Sequence, residues 1–81
     1  MDCYLTSQGA TRAKAMAESL QTAGLPARVT RAPTEASALG CTYAVALPCQ
    51  LLARAAHVLK RYGSYRVFRP DGFGKYREAA Q

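Results

Sequence analysis

Along residues 2–6 polar and apolar positions alternate, with Tyr4 and Leu5 among them, the period of two that marks a first strand. The period then changes. Ala13, Met16, Ala17, Leu20 and Ala23 recur at three- and four-residue spacing, predicting a helix over 9–23 with Ser7 as its N-cap. Gly24 and Leu25-Pro26 stop it. Residues 27–31, centred on Val29, read as a short second strand, and Pro33 with its small and polar neighbours as a loop to residue 39. Residues 40–47 are nearly continuously apolar, the mark of a central strand. Pro48 suits the first turn of a second helix reaching about Tyr62, with Leu51, Leu52, Ala55, Val58, Leu59 and Tyr62 inward and Gly63 as its stop. Residues 64–69 form a last strand carrying Tyr65, Val67 and Phe68. Pro70-Asp71-Gly72 is a turn, and 73–81 has some helical propensity.

The order β-α-β-β-α-β, with right-handed crossovers, predicts an α+β fold of the ferredoxin-like split β-α-β type. It has a four-stranded antiparallel sheet of order 4-1-3-2 with both helices on one face. A single domain would occupy residues 1–69, followed by a C-terminal tail, 70–81. The tail's Phe73 and Tyr76 have three places to go: back onto the sheet, over an exposed edge, or onto another subunit.

Composition narrows the picture. Eighty-one residues allow one core, and much of the 49% hydrophobic content is alanine, which buries little area. Homodimerisation would compensate for so small a core. No apolar run approaches the roughly 18 residues of a membrane span, and the first residues lack the basic and apolar regions of a signal peptide. Three cysteines at irregular spacing then suggest a reduced, cytoplasmic protein. Without a CxxC, and with one histidine, neither a metal nor another cofactor is expected. The net charge of +6 favours anionic partners but by itself describes a solvated surface.

The cysteines are not equivalent in this topology. Cys41, at the entrance of the third strand, should lie beside the first helix's N-terminus, where Ser7 to Thr11 offer free backbone N–H groups. A thiolate is favoured there, and Arg12, Arg31, Lys60 and Arg61 would add positive charge; the other reading of Cys41 is a small buried filler at a strand start. Ser37, Gly40 and Tyr43 complete the candidate binding set with Ser7 and Gly9. Tyr43 shares a strand face with Cys41 and would otherwise be core. Cys49 lies near the second helix's start, roughly 25 Å from Cys41 at ~3.3 Å per residue, too far for a disulfide between them. Cys3 and Cys49 read as inert structural thiols, Cys3 either packed or facing the open side of the sheet.

The early strand, the helix ending Ala23-Gly24-Leu25-Pro26, the proline loop and Pro33…Ser37…Gly40-Cys41 before an apolar strand resemble the DUF3343 family. These are small bacterial proteins described as selenium/sulfur carrier-like. The resemblance runs from residue 3 to about 69. It implies a persulfide or selenosulfide carried on Cys41, with a sulfur or selenium donor or acceptor protein as partner.

Two other classes stay open. A small regulatory or protein-interaction module of this fold would be indifferent to Cys41. A single-stranded RNA binder would use Tyr4, Tyr43, Tyr65 and Phe68 on an open sheet face, although the third strand lacks the basic and paired aromatic residues such sheets carry. Enzyme readings fail on inventory, so a non-enzymatic carrier or binding protein is favoured. His57 sits mid-helix without an implied cysteine partner, and Glu18, Glu35, Asp71 and Glu78 are scattered.

Overall fold

The computed structural model describes residues 2–7, 9–38, 40, 42–62 and 65–79. Among these residues five strands are seen: β1 (Asp2–Thr6), β2 (Arg28–Arg31), β3 (Tyr43–Pro48), β4 (Arg66–Pro70) and β5 (Tyr76–Ala79). They form one antiparallel sheet of order β2-β3-β1-β4-β5. The order expected for the first four strands is observed, and the expected count of four is corrected to five. Residues 76–79, read as a tail of helical propensity, instead hydrogen-bond to β4 with Phe68 opposite Glu78.

The helices are α1 (Ala10–Thr22), α2 (Thr34–Ser37) and α3 (Leu52–Val58). Burial of Ala13, Met16, Ala17 and Leu20 follows the three-and-four spacing, whereas Ala23, also expected inward, is exposed. The α1 cap is Gly9 and not Ser7, and among the described residues no side chain hydrogen-bonds as a cap. Gly24, at φ 86°, turns the chain where a Cβ would be strained, and Leu25 N–H then donates to the Leu20 carbonyl at 2.9 Å. The second long helical segment is split, with 3-10 turns Cys49–Leu51 and Leu59–Tyr62 flanking α3. Its inward face is as the periodicity predicts: Ala55 and Leu59 are buried, with Leu51, Leu52, Val58 and Tyr62 packed beside them. Gly63, expected to stop this helix, and Ser64, expected to open the last strand, lie outside the described residues.

The main core lies between one sheet face and α1 and α3. Leu5, Val45, Leu47 and Val67 meet Met16, Leu20, Ala55 and Leu59 there. Tyr62 ties the two helical segments together: its hydroxyl is 2.7 Å from Ser19 Oγ and donates to the Ala15 carbonyl at 3.2 Å. Arg12 donates to the Tyr62 carbonyl and lies 5.9 Å from its ring centre.

The opposite sheet face departs from expectation. Residues 32–39 were expected to be loop, but α2 within them folds over that face, where Ala36 packs on Phe68 beside Tyr4, Ala32 and Tyr76. On β3 the residues of this face are Ala44 and Ala46, both fully buried. Their small side chains let the backbone approach. Two helices on one face is therefore right for α1 and α3, and α2 makes the molecule three-layered locally.

Cys3 and Cys49 are joined in a disulfide, with 4.9 Å between their Cα atoms. This corrects the reading of both as separate, reduced thiols. Cys3 pairs with Leu47 across β1 and β3, on the helix-covered face. Cys49 follows two residues later, where the chain rises into the helix layer.

Candidate functional site

Opposite the disulfide, at the other end of the sheet, the β1–α1 connection meets the link from β2 to β3. The register fixes this: Thr6 of β1 faces Ala44 of β3, and Arg31 of β2 faces Tyr43. Beyond that pair, Ala32 N–H donates to the Thr42 carbonyl at 2.9 Å. Ser7 and Tyr43 thus each lie one step outside the last β1–β3 pair. Gly9 begins α1 at the same end, where the first-turn N–H groups lack intrahelical acceptors.

Cys41 itself lies outside the described residues. Its neighbours Gly40 and Thr42 do not. Gly40 has φ 92°, a left-handed conformation that disfavours any side chain, and its N–H donates to the Ser37 carbonyl at 2.9 Å. β3 begins at Tyr43 rather than at residue 40, where the apolar run predicted its start. Ser37 closes α2 on the other sheet face from α1. Ser7, Gly9, Gly40 and Tyr43 share one sheet end, and Ser37 joins them through Gly40. Tyr43 is 38% exposed, which removes the alternative that it is core.

Sequence reasoning missed Thr6 here. Its side chain is fully buried, and Oγ1 has no hydrogen-bond partner among the described residues. Of the basic residues assigned to this end, Arg12 is engaged by Tyr62, whereas Arg31, Lys60 and Arg61 are exposed.

The aromatic platform required by the RNA reading does not assemble. Tyr4 and Phe68 lie on the face covered by α2, with the Tyr4 and Tyr76 rings edge-on at 4.9 Å. Hydrogen bonding to Tyr4, then burial, raises the Tyr76 pKa. Tyr43 shares the face of Val45 and Leu5, which is the other side of the sheet. His57 is exposed. Among the described residues no helix is long and apolar enough to cross a membrane.

Fold and site together define a small α+β domain with a disulfide at one end of its sheet and a cysteine-bearing link at the other. Compared with known families, residues 2–65 match the model described as "Putative Se/S carrier protein-like". The chain belongs to that family. Among curated proteins and solved structures, nothing matches.

Proposed function

We propose that the protein is a thiol-based carrier of sulfur or selenium in which Cys41 bears the transferred atom. The observation that carries this reading is the Cys3–Cys49 bond, because it consumes two of the chain's three cysteines. Cys41 is the one that remains, in a family described by carriage of these elements.

Loading requires the Cys41 thiolate to attack the outer sulfur of a donor persulfide, R–S–SH. A Sγ–S bond forms, the donor's S–S bond breaks, and R–S⁻ leaves. Unloading is the same exchange in reverse sense: an acceptor thiolate takes the outer sulfur and Cys41 leaves as thiolate. The sulfur is passed on without net oxidation, and the rate follows thiolate character and access. The α1 first turn beyond Gly9 would favour the anion, Ser7 and Ser37 would donate to the terminal sulfur, and Gly40 and Tyr43 would shape the approach. A selenosulfide would be held by the same groups.

The test is to incubate the protein with glutathione persulfide and read intact and peptide mass. One added sulfur on the Cys41 peptide is expected, lost in Cys41→Ser and transferred to an added acceptor thiol. Loading of Cys41→Ser at the wild-type level would overturn the assignment.

A further inference from the structure

An open cavity of about 280 Å³ lies between α3 and β4, lined by Leu5, Leu52, Ala53, Ala56, Val67, Tyr65 and Arg69. Its depth has a local cause: α3 presents the short side chains of Ala53 and Ala56 where larger ones would close the gap. Burial raises the Tyr65 pKa.

The rim is charged in an unusual way. Arg69 stands directly opposite Arg77 in the β4–β5 ladder. Like charges at directly opposed positions repel, and they bring two cations to one side of the sheet. The two salt bridges among the described residues, Arg28–Asp2 and Arg66–Glu78, involve neither of them. Asp71 lies near enough to Arg77 for that charge to help lower its pKa, but its Oδ1 accepts the Phe73 and Lys75 N–H groups. Among the described residues no carboxylate forms a salt bridge with Arg69 or Arg77, which leaves the pair to an anion from outside.

We propose that this groove binds a small amphipathic carboxylate, its apolar body against Leu52, Ala56 and Val67 and its head on Arg69 and Arg77. The volume is nearly twice the ~150 Å³ that holds benzene in an engineered cavity, so a body of roughly eight carbons fits with room to spare. Paired guanidinium groups suit a carboxylate, which accepts two parallel hydrogen bonds from one fork and keeps a diverging lone pair for the second. The groove runs along the sheet: Leu52 and Arg69 lie toward the disulfide-bearing end, whereas Tyr65 lies one step beyond the Thr6–Arg66 pair, level with Ser7.

The experiment is a titration of the isotope-labelled, full-length chain with octanoate below its micelle concentration, followed by amide shifts. Octanol and octyltrimethylammonium serve as neutral and cationic controls. Saturable shifts at Leu52, Ala56, Tyr65 and Val67 are expected, with octanol at least about tenfold weaker because it lacks the charge-assisted contact. Arg69→Gln should weaken octanoate by a similar factor, and Ala56→Phe, at an exposed position, should abolish it by filling the groove. Equal binding of octanol, shifts scattered over the basic surface, or unchanged binding in Arg69→Gln would overturn the proposal. So would shifts at these residues that track protein concentration without ligand, which would place a second copy of the chain in the groove.

Discussion

Opening the Cys3–Cys49 bond removes a cross-link between the first strand and the segment entering α3. The residues are 46 apart in sequence, so reduction frees a long loop in the unfolded chain. Loop-closure entropy for that length corresponds to about 4 kcal/mol of lost stability at 25 °C. For a domain of this size, that is on the order of 20 °C in melting temperature. The loss is large beside the core available: among the largest fully buried side chains, Phe68 is the sole aromatic, and alanines fill much of the rest. Small cores of this kind are where a staple matters most. The assay is equilibrium urea unfolding by circular dichroism, comparing oxidised protein with the same protein in a phosphine reductant, so that no atom but hydrogen changes. A difference below ~1 kcal/mol would refute the reasoning, since it would mean that the cross-link does not restrict the unfolded ensemble. An increased urea dependence on reduction is expected as well, because the freed chain exposes more surface.

Three further outcomes follow from the packing. Phe68→Ala should cost roughly 3–5 kcal/mol and detach α2 from the second sheet face, seen as faster amide exchange at residues 34–37; wild-type protection there would show that α2 is held by something else. Tyr62→Phe should cost about 1 kcal/mol in urea unfolding, because it removes the hydroxyl bonded to Ser19 and the Ala15 carbonyl. Asp71 has a pKa held below its usual value, first by the Phe73 N–H, so its contribution to the β4–β5 hairpin is present above the ordinary carboxylate pKa and lost as pH falls through the lowered one. Exchange at residues 76–79 should therefore rise on acidification, and Asp71→Ala should flatten that dependence; an unchanged profile in the variant would sink the assignment.

Much of this architecture could be read locally. The change from period two to period 3.6 after Thr6, the stop at Gly24, and the inward set from Leu51 to Tyr62 needed only neighbouring residues. The sheet order followed from connection handedness, and with it the meeting of the β1–α1 and β2–β3 connections at one end. The candidate site was legible to that extent, as a place in the topology, with Ser7, Gly9, Gly40 and Tyr43 drawn to it. The buried Thr6 hydroxyl was not, because nothing in the sequence announces which strand residues a short helix will cover.

What tertiary structure alone decided was pairing between distant segments. Residues 76–79 are too polar to announce a strand, and they become one because β4 offers an unpaired edge. The turn held by Asp71 returns the chain to that edge. The helix α2 is four residues long and could not persist in isolation; burial of Ala36 on Phe68 is what holds it. Cys3 and Cys49 carry no spacing motif. Their union depends on antiparallel registry that sets Cys3 against Leu47 and on the rise of the chain after Pro48. Sequence periodicity reports which side of an element faces apolar surroundings, whereas the partner across the gap is fixed by chain connectivity and packing in three dimensions.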